Sequence, residues 1–179
     1  MQIIVSQIPP EGLKIHIVKD GDWFRRLASG DLIDQYSVRK VEFKGIAERV
    51  AKNVAIKGEI VVDAVTQCSR CLDSVPMNIE SEVMNIAAPA AGTSTWAEKE
   101  LEREELDLLY YENDTIDMEP LIFEQMLLLF PIKTLCDENC RGLCPVCGIN
   151  LNRETCNHKV EDIKSPLEVL KNFKITKNK

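Results

Sequence analysis

Eight side chains that can bind a soft metal ion occur as four close pairs along the chain. One to three residues separate the members of each pair; the pairs are Cys68/Cys71, Cys136/Cys140, Cys144/Cys147 and Cys156/His158. Tight turns bring such pairs to one point, and zinc takes four ligands of this kind in a tetrahedron. The fold must therefore bring pairs that are distant in sequence together, which constrains it more than any other feature.

The count of ligands predicts two complete four-ligand zinc sites. One set lies within fifteen residues and can close locally: Cys144, Cys147, Cys156 and His158. The other set would tie the end of a β-hairpin to the end of a helix: Cys68, Cys71, Cys136 and Cys140. A single zinc ion with several ordinary thiols, or a different pairing, remains an alternative. Closed four-ligand sites are structural because they leave no position for water or substrate.

The compartment follows from the cysteines and the N-terminus. The chain has seven cysteines, an odd number, and its start, MQIIVSQIPPEG, lacks the basic and apolar regions of a signal peptide. Reduced thiols in the cytoplasm are therefore expected rather than disulfides. The longest apolar cluster, residues 127–132, is too short for a membrane span, so no membrane association is expected.

The hydrophobic pattern predicts an α+β fold: an antiparallel β-sheet or partly open barrel with a long helix and a C-terminal zinc-binding segment. Residues 36–66 alternate apolar and charged positions in two runs, which predicts a half-buried antiparallel hairpin with its corner at Lys52-Asn53. Residues 87–97 are small and turn-prone. We expect a β-rich body over 1–86, a flexible acidic linker over 87–115, and a helix with the Cys-rich segment over 116–179.

The strongest helical pattern runs from Ile116 to Phe130. Asp117 is a suitable N-cap, Pro120 suits the first turn, and Pro131 would end the helix. Apolar residues cover most of its circumference, which indicates a helix packed on nearly all sides or one that also meets a partner. A short amphipathic helix is expected over residues 166–173.

The charge is uneven along the chain. The formal net charge is −7; residues 98–119 carry ten acidic side chains against two basic ones, whereas the chain from residue 132 onward has nine basic against six acidic side chains. An acidic body repels phosphate, so any RNA contact is expected at the C-terminal end. The candidate RNA-binding residues are Arg141, Arg153, Lys159, Lys164, Lys171, Lys174 and Lys177.

Catalysis has little support in the sequence. No nucleotide-binding, hydrolase or metalloprotease motif is present, no small-molecule substrate is evident, and His16 has no neighbouring partner. A thiol-redox protein using Cys68 and Cys71 is the alternative from another class. A redox Cys-x-x-Cys normally opens a helix, whose N-terminus lowers the thiol pKa. Here the motif follows a strand and precedes a turn, which favours a zinc knuckle and a non-enzymatic protein.

Three stretches together resemble the YceD family, the large ribosomal RNA subunit accumulation family. They are Arg70-Cys71-Leu72 after a strand, a helix ending in Leu-Leu-Leu-Phe-Pro131, and the run from Leu135 through Cys-Arg-Gly-Leu-Cys-Pro-Val-Cys-Gly-Ile-Asn-Leu to Asn152. The resemblance extends over residues 41–173. It implies a role in maintaining large-subunit ribosomal RNA, in ribosome assembly or RNA processing, with ribosomal RNA, a precursor particle, or a ribosomal or processing protein as partner.

Two positions depart from the pattern of that family. Relatives commonly have Cys-x-Cys where this chain has Cys156-Asn-His158, and zinc accepts the imidazole. Relatives often have Asp-Pro-Arg before the last helix, where this chain has Lys164-Ser-Pro166. An RNA contact made by that arginine would be missing here.

Overall fold

The computed structural model describes residues 1–30, 35–90 and 108–158. In these ranges the strands are β1 (Gln2–Ile4), β2 (Leu13–Asp20), β3 (Tyr36–Val50), β4 (Asn53–Gln67), β5 (Ser74–Pro89), β6 (Leu108–Tyr111) and β7 (Thr115–Asp117). The α-helices are α1 (Gly21–Leu27) and α2 (Met118–Leu129).

The main sheet has five strands in the order β2-β3-β4-β5-β6 and is open. β2 to β5 are antiparallel neighbours, as predicted, but β6 runs parallel to β5, so the sheet is mixed. The purely antiparallel expectation is wrong at this edge, because an alternating pattern predicts a strand but not the direction in which it pairs. β1 and β7 form a separate two-stranded antiparallel sheet.

The predicted hairpin is the long pair β3–β4, whose alternating residues form the buried face. Phe43 lies opposite Ile60, and both are buried. Gly45 lies opposite Gly58, where a Cβ on either residue would overlap backbone of the other strand. The ring of Phe43 covers both glycines, so this close approach also fills the core.

Both helices pack against the buried face of the sheet through one hydrophobic core. Trp23 of α1 meets Phe123 of α2 edge to face, with ring centroids 5.9 Å apart. Asp117 caps α2 by accepting from the backbone N–H of Glu119 at 3.0 Å. In the described ranges, neither helix combines the length and the apolar character that crossing a bilayer requires.

The expected long helix is shorter than the pattern predicted. α2 has 12 residues and starts at Met118 because Ile116 is extended and pairs with β1. Its end is pinned to β3: the rings of Tyr36 and Phe130 stack at 4.0 Å. The Tyr36 hydroxyl donates to the carbonyl oxygen of Pro131 at 3.0 Å, which fixes the direction in which the chain enters the cysteine-rich segment.

Part of the range expected to be a linker belongs to the sheets. The expected linker covered residues 87–115. β5 continues to Pro89, β6 lies wholly within that range, and β7 begins at its last residue. The short helix expected over residues 166–173 falls outside the described residues. The division into a body, a linker and a metal-binding part remains a prediction.

Candidate metal centre

The turn between β4 and β5 presents the first two thiols. The N–H of Cys68 donates to the carbonyl of Asp73 at 2.8 Å, and the N–H of Leu72 donates to the carbonyl of Cys68 at 3.0 Å. Leu72 takes a left-handed conformation, with φ of 62°. The N–H of Arg70 points at the sulfur of Cys68, at 3.5 Å. The turn therefore forms a knuckle that presents the sulfurs of Cys68 and Cys71.

The segment after α2 is held against this turn by backbone hydrogen bonds. The N–H of Ser69 donates to the carbonyl of Thr134 at 2.8 Å, and the N–H of Leu143 donates to the carbonyl of Arg70 at 3.0 Å. The guanidinium of Arg70 also donates to the carbonyl of Cys140 at 2.8 Å. These contacts bring the thiols that follow α2 to the turn between β4 and β5.

The first cysteine group is the resulting cluster of four thiols: Cys68, Cys71, Cys136 and Cys140. Their sulfurs all lie within 4.8 Å of one another. Two of the separations are 3.8 Å, between Cys68 and Cys140, and 3.5 Å, between Cys71 and Cys136. A regular tetrahedron with Zn–S bonds of about 2.3 Å requires sulfurs about 3.8 Å apart. The group is therefore close to the size that a tetrahedral metal ion needs.

The second group contains four ligand atoms within 4.8 Å of one another, from Cys144, Cys147, Cys156 and His158. It is built on a second knuckle, in which the N–H of Gly148 donates to the carbonyl of Cys144 at 2.8 Å. Gly148, the residue after the second thiol of this knuckle, has φ of 74°, a left-handed conformation that glycine adopts without a Cβ clash. Nδ1 of His158 lies 4.0 Å from the sulfur of Cys144.

The two groups differ in exposure. In the first group, Cys68, Cys71 and Cys140 are buried and Cys136 is exposed. In the second group only Cys144 is buried. The structure therefore brings all eight predicted ligands together in the two predicted sets, one largely covered and one largely accessible.

The thiols of each group differ in pKa. Burial raises the pKa of Cys68, but the surrounding backbone N–H groups, led by that of Arg70, lower it to about 6. An adjoining backbone N–H lowers the pKa of Cys71, but burial and the neighbouring thiols raise it to about 12. Backbone N–H groups of the second knuckle lower the pKa of Cys144 to about 6. Thiolates this close repel one another, so full ionisation of a group needs a compensating cation.

The donors fit a soft or borderline metal ion. Thiolate and imidazole ligands in four-coordinate sets select zinc-like ions over magnesium or calcium, which prefer oxygen. All seven cysteines are free thiols, so none is withdrawn from coordination by a disulfide. Each group supplies four protein ligands, which would fill a tetrahedral coordination sphere and leave no position for substrate.

Two residues that the sequence pattern did not single out connect the groups. The amide nitrogen of Asn152 donates to the sulfur of Cys140 at 3.2 Å, and its amide oxygen accepts from the N–H of Arg141 at 2.8 Å. The carboxylate of Asp73 accepts from the amide of Asn150 at 2.9 Å. The Asn-Leu-Asn motif was noted only as part of a family resemblance, since nothing in its spacing indicates these partners.

The proposed RNA-binding residues have different surroundings. Arg141 is exposed. Arg153 is also exposed, but its guanidinium pairs with the carboxylate of Asp73 at 2.9 Å, so a phosphate would compete with that contact. The remaining candidates lie outside the described residues: Lys159, Lys164, Lys171, Lys174 and Lys177.

The surroundings of Cys68 and Cys71 favour metal binding over the redox alternative. Both thiols are buried in a turn that follows a strand, and their motif does not open a helix. Redox-active thiols are accessible to their partner, whereas the thiols of both Cys68 and Cys71 are buried. His16 is exposed, and its Nε2 lies 3.0 Å from a carboxylate oxygen of Glu42 on the surface.

A shallow cavity of about 490 Å³ lies away from the cysteines, between β6, β7 and the start of α2. Its polar lining includes Tyr111, Glu112, Asp117 and Glu124. Its three acidic side chains give this cavity a negative charge, and none of the eight candidate metal ligands lines it.

Comparison with known proteins relates the chain to one family. The profile of the family described as "Large ribosomal RNA subunit accumulation protein YceD" matches residues 56–174, a range that includes both metal-ligand groups. Uncharacterized proteins of Mycobacterium bovis and Mycobacterium tuberculosis are 29% identical over 132 residues, which is 73% of this chain and 59% of each relative. One from Mycobacterium leprae is 28% identical over 105 residues, 58% of this chain and 46% of the relative. The alignments thus span at most about three fifths of these relatives. No solved structure matches the chain.

Proposed function

Because this chain belongs to the YceD family of large ribosomal RNA subunit accumulation proteins, we propose that it is a non-catalytic zinc-binding factor that supports accumulation of large-subunit ribosomal RNA. Its partner is the ribosomal RNA, or a precursor particle that contains it. The protein acts in the cytoplasm, where thiols remain reduced. The single observation that carries the structural half of this proposal is the pair of four-ligand clusters inside the family-matched range.

Zinc would act as part of the fold. The segment 134–158 contains no α-helix and no strand longer than an isolated bridge, so it has little regular structure of its own. Structural zinc contributes about 10–16 kcal/mol of apparent binding free energy in zinc-finger peptides, which is comparable to the whole stability of a domain. Metal binding would therefore determine whether this segment holds its shape against the hairpin.

The RNA contact is proposed at the basic C-terminal end. The body is acidic, with a net charge of −7 for the whole chain, so contact through the body would oppose the RNA phosphates. Lysines neutralise phosphates and release counterions, which makes such binding salt-dependent. The zinc segment would then position the basic end against its partner.

Loss of the protein should lower mature large-subunit ribosomal RNA relative to small-subunit RNA. The measurement is the ratio of the two RNAs after depletion, with rescue by the wild-type chain. A ratio that does not change on depletion would contradict the proposed role.

The electrostatic route is tested by replacing three tail lysines with glutamine: Lys171, Lys174 and Lys177. The matched control removes the same charge from the exposed surface of the body, at Lys14, Lys52 and Lys57. Association with ribosomal precursors should weaken in the tail variant, and the salt slope should fall by up to about 0.9 per lost phosphate contact, the duplex DNA value. Equal association of both variants at every salt concentration would exclude this route and favour a protein contact.

A further inference from the structure

The second ligand group closes a loop whose side chains contact the first group. Asn150, Asn152 and Arg153 all lie between Cys147 and Cys156, so any metal held by the second group fixes both ends of the segment that carries them. The loop is also joined to the preceding stretch by backbone contacts: the N–H of Leu151 donates to the carbonyl of Gly142 at 2.9 Å, and Asn150 forms an antiparallel bridge with Leu143. A metal held by the second group would add to these contacts, because it fixes the loop at Cys147 and at Cys156.

One contact from the loop reaches a ligand atom of the first group. The amide nitrogen of Asn152 lies 3.2 Å from the sulfur of Cys140. Its amide oxygen accepts from the N–H of Arg141 at 2.8 Å, which orients the amide so that its nitrogen faces the sulfur. A hydrogen bond to a thiolate stabilises the charged form that binds metal.

A second contact reaches the knuckle that carries the other thiols. The carboxylate of Asp73 accepts from the amide of Asn150 and from the guanidinium of Arg153, both at 2.9 Å. The backbone carbonyl of Asp73 also accepts from the N–H of Cys68 at 2.8 Å, closing the turn around the first group. The loop of the second group therefore supports the first group from two sides.

We propose that the two groups bind metal as a coupled pair, in which occupancy of the second group tightens the first through Asn152, which lies on a loop that Asp73 holds against the first knuckle. Metal binding to the second group orders the loop and carries the entropic cost of that ordering. Metal binding to the first group then has no such cost, because the loop contacts are already in place. Linkage requires the reverse effect to have the same size. This inference rests on the metal-binding part of the proposed function.

The difference in exposure between the two groups predicts the order in which they lose metal. The first group has three buried thiols, whereas the second has one. A chelator therefore removes metal from the second group first, and the first group becomes more labile after that loss. The chain would respond to metal limitation by releasing its C-terminal segment in two steps.

Cobalt(II) provides a readout for each group, because a site of four thiolates and a site of three thiolates with one imidazole give different d–d bands. The full chain is titrated with cobalt under reducing conditions, and the affinity of the first group is measured by competition with a chelator. The comparison variant disables the second group by Cys156→Ala together with His158→Ala. The cobalt affinity of the first group should fall about tenfold in this variant, as expected for one lost hydrogen bond to a charged group.

A double-mutant cycle tests whether Asn152 carries the effect. Asn152→Ala alone should weaken cobalt binding by the first group, and disabling the second group in that background should weaken it further by no more than about twofold. Asn139→Ala is the matched control, since it lies in the same segment and its backbone N–H, not its side chain, makes the hydrogen bond to Asp137. It should leave the cycle unchanged.

The outcomes separate this inference from the proposal on which it rests. Two cobalt sites in wild type, with the first group binding equally tightly there and in the disabled variant, would overturn the coupling and leave metal binding intact. A tenfold loss that persists in full in the Asn152→Ala background would overturn the assigned route. Absence of any cobalt spectrum from the wild-type chain would refute metal binding itself.

Discussion

Gly142 joins the two halves of the cysteine-rich segment, and its replacement by alanine gives a sharp test of their packing. The residue has φ of 75°, in the left-handed region that disfavours a side chain. A Cβ at this position would lie 3.0 Å from the carbonyl oxygen of Arg70. That oxygen accepts the hydrogen bond from the N–H of Leu143, so the added methyl group would push on the contact between hairpin and segment.

The expected magnitude has two parts. A left-handed conformation costs a residue with a Cβ about 1–2 kcal/mol relative to glycine. Forcing a packed neighbour to move adds about 1–3 kcal/mol. Gly148→Ala is the matched control, because Gly148 has φ of 74° but nothing within 4 Å of its Cβ position. The control carries only the backbone cost, so the difference between the two variants isolates the contact with Arg70.

The assay is hydrogen exchange of the Leu143 amide in the metal-loaded protein, which reports the free energy of opening the contact. Gly142→Ala should lower that free energy by about 2–5 kcal/mol, and Gly148→Ala by about 1–2 kcal/mol. Equal losses in the two variants would show that the close approach of Gly142 to Arg70 has no energetic effect, and would refute this account of the junction.

Three further predictions concern the sheet and the core. Gly58→Ala should lower the free energy of unfolding in denaturant by at least about 3 kcal/mol, because its Cβ would overlap the carbonyl of Lys44; a loss below about 1 kcal/mol would contradict it. Met126→Ala should cost about 2–5 kcal/mol in the same assay, because Met126 is fully buried; a surface-like loss would place it outside the core. Lys40 and Lys44 hold the pKa of Glu42 at about 2, below the unfolded value of 4.5. The Glu42 contribution to stability is therefore present above pH 4.5 and lost as pH falls towards 2. A carboxyl NMR titration midpoint near 4.5 would disprove this ion-pair cluster.

The grouping of the eight candidate metal ligands was predictable because close spacing limits the geometry. The stretch from Cys144 to His158 has only fifteen residues, so the second group can close within one loop. Once those four ligands are assigned, the other set must join the turn between β4 and β5 to the segment after α2. The long β3–β4 hairpin was equally predictable from the sequence, since the alternation of apolar and charged residues runs through both strands.

The strand pairings that involve distant residues were not predictable from local pattern. Residues 108–111 were assigned to an acidic linker because the charges before them dominate that part of the sequence, yet they pair with β5 as β6. Ile116 was assigned to the helix because its apolar character fits either period, but pairing with Ile3 of β1 holds it extended.

The hydrogen bonds that connect the two ligand groups could not be predicted from the sequence either. Asn152 and Cys140 are 12 residues apart, and Asp73 and Asn150 are 77 apart. Polar side chains at such positions suit a turn equally well, so only the assembled fold shows which ligand or partner each one contacts.

The most direct test of the account is native mass spectrometry of the full chain purified without chelator. We expect two zinc ions per chain, falling to one when Cys156 and His158 are both replaced by alanine. Metal-free protein in which all seven thiols react freely with a thiol reagent would contradict the central claim that the two groups are zinc sites.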